Sequence, residues 1–266
     1  MRRIEATFNG LRERGEKALI TFITAGDPDL ETTAALARAM AGAGADIIEL
    51  GVPFSEPVAD GPVIQQASQR ALDGGVTLRG ILETVRALRE DVELPLVLMS
   101  YYNPIYQSGL DRFAREAAAA GADGLIVPDL PVEEAGPLLA AADREGLALI
   151  PLAAPTSTPA RLRRIAASAR GFLYCVAVTG VTGARQRPEE VRGLAARARQ
   201  ACSVPVVVGF GVTTPAQAAE VGTLADGVVV GTAIVREVAG GGPDMTARVA
   251  GLTRELKAAL PRDRIR

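Results

Sequence analysis

Eight short apolar runs, rich in valine, isoleucine and leucine, recur along the chain. They are ALITFIT from Ala18, DIIEL from Asp46, LPLVLM from Leu94, GLIV from Gly124, LALIPL from Leu147, FLYCVAV from Phe172, PVVV from Pro205 and GVVV from Gly227. Each is continuous rather than alternating, the pattern of strands covered on both faces, as in a parallel sheet. Between them lie stretches with helical spacing: Leu30 to Ala43, Val63 to Leu72, Leu78 to Arg89, Leu110 to Ala120, Val132 to Glu145, Pro159 to Ala169, Pro188 to Ala201, Pro215 to Val221 and Met245 to Leu260. Thr158-Pro159 and Thr214-Pro215 supply an N-cap followed by proline at the first helical position. Strands and helices alternating in eight near-equal units predict an α/β chain folded as a (β/α)8 TIM barrel. A doubly wound open sheet is the alternative, but it rarely needs eight such units. Residues 2 to 13 read as an extra N-terminal amphipathic helix capping the bottom of the barrel.

Gly44-Ala45-Asp46, Gly121-Ala122-Asp123 and Leu224-Ala225-Asp226 each precede an apolar run, on the face of the barrel away from the chemistry, and read as structural turns. The absence of internal linkers and low-complexity segments predicts one domain over residues 1–266, and a length of 266 residues suffices for a large core. The net charge of -2 offers no surface for nucleic acid or membrane. The N-terminal MRRIEATFNG has no apolar run behind its basic residues, and Cys175 and Cys202 follow no metal or redox spacing. The expectation is a cytoplasmic protein in a reducing compartment.

Chemistry is narrowed by what is missing. Histidine is absent, which removes the usual acid/base group, the commonest metal ligand and every Ser-His or Cys-His nucleophile. Lysine occurs only at Lys17 and Lys257, neither placed to form a Schiff base with a ligand. Proton transfer therefore falls to carboxylates, aided at most by a tyrosine, with no metal and no cofactor expected.

Barrel sites form where strands end and βα loops begin. The second run ends on Glu49, and the glycine and proline punctuation of Gly51, Pro53 and Pro57 puts Asp60 on a loop free to fold back toward it. Burial at the rim would raise the pKa of Glu49 and let it exchange protons near neutrality. Asp60 taken alone also fits an ordinary Asp-Gly turn. Gly180 and Gly183, Gly209 and Gly211, and Gly231 follow the last three runs, and Thr232 opens a short helical segment. Together they predict a phosphate site of backbone N–H groups and a helix N-terminus. Phe22, Ile64, Met99, Ile126, Tyr174 and Phe210 fit either core or the lining of a flat apolar pocket. Tyr101, Tyr102 and Asn103 fit rim packing and ligand contact equally.

The motifs FITAGDP (Phe22 to Pro28), ELGVPFSEPVADGPVIQ (Glu49 to Gln65), LMSYYNPI (Leu98 to Ile105), VPDLPVEE (Val127 to Glu134), VTGVTGAR (Val178 to Arg185), VVVGFGV (Val206 to Val212) and GTAIV (Gly231 to Val235) span nearly the whole chain. In these the chain closely resembles the α subunit of tryptophan synthase. The resemblance implies retro-aldol cleavage of indole-3-glycerol phosphate to indole and glyceraldehyde 3-phosphate in tryptophan biosynthesis. It implies Glu49 as general acid/base and Asp60 as the group that binds the indole N–H and balances its charge. Apolar residues would hold the indole, and Gly183, Gly211, Gly231 and Thr232 the phosphate. It further implies an α2β2 complex with a pyridoxal-phosphate-dependent β subunit. Loops around Pro53 to Asp60 and Thr179 to Arg187 would act as lids, Thr182 in loop closure, and Pro53, Glu56, Pro57, Asn103 and Pro131 would face the partner. The chain departs from the family pattern at Glu56, where SDP becomes Ser55-Glu56-Pro57, and at Thr232, where GSAIV becomes GTAIV.

Two other readings compete. Indole-glycerol-phosphate synthase and sugar-phosphate epimerases share the barrel but rely on a catalytic lysine or a histidine-held metal, which this chain lacks. A catalytically silent, regulatory barrel would have no need of both Glu49 and Asp60.

Overall fold

The computed structural model describes residues 2–176, 188–209 and 211–263. Helix α1 (Arg2–Glu13) is followed by strands β1 (Ala18–Thr24), β2 (Ile47–Gly51), β3 (Leu96–Met99), β4 (Gly124–Ile126), β5 (Ala148–Ile150), β6 (Leu152–Ala153), β7 (Leu173–Val176), β8 (Val206–Gly209) and β9 (Gly227–Val230). Between and after the strands run α2 (Leu30–Gly42), α3 (Pro62–Asp73), α4 (Leu78–Leu88), α5 (Tyr102–Ser108), α6 (Leu110–Ala120), α7 (Gly136–Arg144), α8 (Pro159–Ser168), α9 (Pro188–Ala201), α10 (Pro215–Gly222), α11 (Thr232–Ala239) and α12 (Met245–Ala259).

All the strand pairings are parallel. The order is β5-β4-β3-β2-β1-β9-β8-β7-β6. The two ends of that ladder, β5 and β6, are halves of the fifth apolar run. Pro151 parts them because it has no N–H to give, yet its carbonyl still accepts from Tyr174 N at 3.1 Å. The chain itself therefore joins the two ends of the ladder, and the (β/α)8 barrel is nearly closed.

Two helical expectations change. The seventh helix starts at Gly136 rather than Val132. Pro137 has no N–H for the carbonyl four residues back, so a helix begun at Val132 could not run through it. Tyr102–Ser108, where the helical spacing predicts no element, forms α5, with Pro104 in its first turn, where no intrahelical donor is needed.

Side chains fill the barrel in two shells. Ile20, Ile47, Val97, Ile126, Ile150, Phe172, Val207 and Val229 pack inside, and Ile4, Phe8 and Leu11 of α1 plug the bottom. The rings of Phe8 and Phe172 meet with centroids 5.8 Å apart. A larger cluster, including Leu19, Ile48, Leu98 and Leu125, fills the layer between strands and helices. Among the described residues no helix is long and apolar enough to cross a membrane.

The three aspartates that precede apolar runs stitch the bottom of the barrel. Asp46 Oδ2 accepts from Leu19 N at 2.7 Å, Asp123 Oδ2 from Leu96 N at 3.0 Å, and Asp226 Oδ2 from Val206 N at 2.8 Å. Each carboxylate thus binds the backbone of the preceding strand in the ladder. Each also meets a cation: Lys257 on Asp46, Arg3 and Arg89 on Asp123, and Arg199 on Asp226.

Candidate active site

At the opposite end the strands open into a cavity of about 1530 Å³. Phe22, Glu49, Asp60, Ile64, Met99 and Tyr174 line it, and so do Gly211, Gly231 and Thr232. Strand β2 delivers Glu49, which is 1% exposed and whose Oε2 has no hydrogen-bond partner among the described residues. Burial raises its pKa to about 8, with the neighbouring Asp60 carboxylate adding to the effect. Asp60, half-buried on the loop before α3, is raised to about 6 by burial, and a hydrogen bond from Tyr101 pulls the other way. Near pH 7 the pair therefore holds one acid that is mostly protonated and one that is mostly charged.

Backbone contacts bend the loop so that Asp60 reaches the cavity. Asp60 N donates to Pro57 O at 3.0 Å, and Gln65 Nε2 on α3 donates to Asp60 O at 2.9 Å. Tyr101 Oη donates to Asp60 Oδ2 at 3.0 Å and accepts from Ala59 N at 2.9 Å. Arg70 of α3 makes a two-pronged ion pair with buried Asp27 after β1, at 2.8 and 2.7 Å, so the helix behind Asp60 is tied to the first strand. The carboxylate–guanidinium fork fixes orientation as well as distance.

Glycines seat the two aromatic walls. A Cβ on Gly51 would lie 2.6 Å from Phe22 Cζ, and one on Gly231 3.1 Å from Phe22 Cδ1, so the Phe22 ring packs closely against both residues. A Cβ on Gly209 would lie 2.5 Å from Tyr174 Oη. Gly209, read from sequence as a candidate for approaching an anion, is thus required by the ring of Tyr174. Gly231 keeps its expected place: it N-caps α11 with no side-chain hydrogen bond, which leaves the first N–H groups of that helix for a ligand. Gly211, with φ of +70°, is in the left-handed region.

For Ile126, the first of the two readings, core or pocket lining, is the one the structure shows. It is fully buried in the inner shell, does not line the cavity, and serves as core. Among the residues expected to face a partner, Pro53 is buried in the isolated chain. Glu56 and Asn103 are exposed, and Pro57 and Pro131 are partly exposed. Thr182, Gly183 and Phe210 lie outside the described residues, as do Gly180, Arg185 and Arg187. Sequence reasoning left the role of Tyr101 open and passed over Gln65. Glutamine five residues beyond Asp60 carries no signal of its own, because the contact depends on the fold of the loop.

A family model described as "Tryptophan synthase alpha chain" matches residues 8–260. A "Tryptophan synthase alpha chain" of Geobacter sulfurreducens is 57% identical over 237 residues, covering 89% of this chain and 90% of that protein. Among solved structures, tryptophan synthase subunit alpha from Legionella pneumophila superposes with a TM-score of 0.90 at 38% identity, covering 97% of this chain and 98% of that one. A Mycobacterium tuberculosis tryptophan synthase structure does so with a TM-score of 0.90 at 41% identity and the same coverage. With that barrel, that pair of carboxylates and matches over almost its whole length, the chain belongs to the tryptophan synthase alpha chain family, the lyases that cleave indole-3-glycerol phosphate in tryptophan biosynthesis.

Proposed function

We propose that Glu49 and Asp60 divide between them a retro-aldol cleavage of indole-3-glycerol phosphate that needs neither metal nor Schiff base. The observation that supports this most is the buried Glu49 carboxyl lining the cavity, its Oε2 without a hydrogen-bond partner among the described residues, with Asp60 close enough to raise its pKa. A group protonated near neutrality in the free enzyme can give its proton to indole C3 and then take one back.

Protonation at C3 places positive charge on the ring nitrogen. Asp60, mostly ionised at pH 7, accepts the ring N–H and offsets that charge. Glu49, now a carboxylate, removes the proton of the hydroxyl on the carbon attached to C3. The C–O bond becomes a carbonyl, the C–C bond breaks, and its electron pair returns to the ring and neutralises the nitrogen. One proton enters at C3 and one leaves the hydroxyl, so Glu49 ends as it began.

Phe22, Ile64, Met99 and Tyr174 provide the apolar surface for the indole. Gly211, Gly231 and Thr232, together with Gly183, hold the phosphate through backbone N–H groups and the Thr232 hydroxyl. A pyridoxal-phosphate-dependent β subunit receives the indole in an α2β2 complex, with Glu56, Pro57, Asn103 and Pro131 toward it. The compartment is cytoplasmic, and the chain acts as one domain.

Indole release from indole-3-glycerol phosphate by the purified chain, with and without a β subunit and with and without a chelator, tests the reading. Release that survives chelation is expected. Release abolished by chelation overturns the carboxylate mechanism.

A further inference from the structure

We propose that Tyr101 is a positioning residue for this reaction: by bridging the backbone of Ala59 and the carboxylate of Asp60, its hydroxyl keeps Asp60 ionised and aimed at the ring nitrogen. The proposal deepens the function argued above and rests on it.

The bridge has a fixed polarity. A backbone N–H can only donate, so Ala59 N, at 2.9 Å, uses an acceptor position of the phenol oxygen. The single phenol proton is left for Asp60 Oδ2, at 3.0 Å. That hydrogen bond strengthens when Asp60 is charged.

Tyr101 is itself held firmly. It is 4% exposed, its ring stacks on Phe54 with centroids 5.2 Å apart, and it follows β3 by two residues as the N-cap of α5. One residue on, Tyr102 N donates to Asp129 Oδ1 at 2.9 Å. On the loop side Gln65 occupies the Asp60 carbonyl, so the carboxylate alone is left to Tyr101 and the cavity.

The ionisable groups acting on this pair from neighbouring elements are Glu49 on β2, Tyr174 on β7 and Asp129 after β4, and none of them carries a positive charge. Among the described residues the phenol is therefore the side chain that favours the charged form of Asp60.

The test compares wild type, Tyr101→Phe and Phe54→Leu at matched thermal unfolding. Two readouts are used: titration of the Asp60 carboxyl carbon by NMR, assigned through Asp60→Asn, and the pH profile of kcat/KM for indole release. In Tyr101→Phe the Asp60 titration and the acid limb should both move upward by roughly half to one pH unit. Its kcat should fall roughly tenfold or more, with KM within a few-fold. Phe54→Leu, which keeps the hydroxyl, should leave the titration in place. An unmoved titration in Tyr101→Phe, or an equal movement in Phe54→Leu, overturns the proposal. A wild-type chain that releases no indole sinks the functional reading instead, and the NMR titration still decides whether the phenol sets the charge of Asp60.

Discussion

Glu49 pairs with Phe22 in the parallel ladder of β1 and β2, so the carboxyl proposed to cycle a proton stands beside an aromatic wall rather than beside a cation. Its burial raises the pKa from 4.5 to about 8 and destabilises the charged form. Because the folded value lies above the unfolded one, this group's contribution to stability is complete below pH 4.5 and is lost as pH rises toward 8. Glu49→Gln has no proton to lose. It should abolish nearly all indole release while raising the unfolding temperature relative to wild type. The gain should be near zero at pH 4 and grow to a few kcal/mol by pH 8.5, at about 1.4 kcal/mol per pH unit. Thermal melts across that range would show it, and equal melting of both proteins at pH 8.5 would contradict the burial argument.

Asp60 is raised only to about 6, so the free enzyme should show a bell-shaped kcat/KM profile with apparent limbs near 6 and 8, values that belong to the coupled pair. Asp60→Asn should lower kcat by about two to three orders of magnitude, leave substrate binding within a few-fold and erase the acid limb. A variant with near-normal kcat would return Asp60 to the ordinary turn residues.

Phosphate recognition is best probed at Thr232, since a side chain at Gly231 also pushes on Phe22. Thr232→Val keeps the shape and removes the hydroxyl, and should raise KM roughly tenfold with little change in kcat. Steady-state kinetics of Arg185→Ala and Arg187→Ala measured beside it decide between backbone and guanidinium binding. A larger KM effect at either arginine would overturn the helix-terminus account.

Glu56 is exposed and lies seven positions from buried Glu49 in the chain. Glu56→Gln should leave turnover of the isolated chain within a few-fold but weaken association with a β subunit, or the rate stimulation that subunit gives. Assays with and without the partner separate the two glutamates, and loss of turnover in the isolated Glu56→Gln chain would mean that the wrong carboxylate has been assigned.

The barrel was legible in sequence because its signals are local. Valine-rich runs mark covered strands wherever they sit, and Thr214-Pro215 marks a helix start whatever lies around it; the structure adds Gln217 to complete its capping box. Glu49 could be picked out by the same logic, as a charge within an apolar run, although β2 continues past it to Gly51. Ile126 could not be told from a pocket residue, because inward-facing positions of one strand look alike and only height along the barrel separates core from cavity. The hydroxyl of Tyr101 was equally hidden, since its partner Asp60 lies 41 residues away. Helix α5 was masked by Pro104, which reads as a breaker unless it falls in a first turn.

Asp46, Asp123 and Asp226 join adjacent strands at one end of the barrel, and Glu49, Asp60 and Tyr101 lie at the other. The two sets share no residue, so loops grafted or diversified at the mouth leave these carboxylate stitches intact. A laboratory seeking new substrates from this chain can therefore vary exposed residues after β2 and β3, such as Glu56 and Asn103, while keeping Asp60, Tyr101, Gly231 and Thr232, screening for activity before screening for solubility. The three aspartates should stay constant in every library.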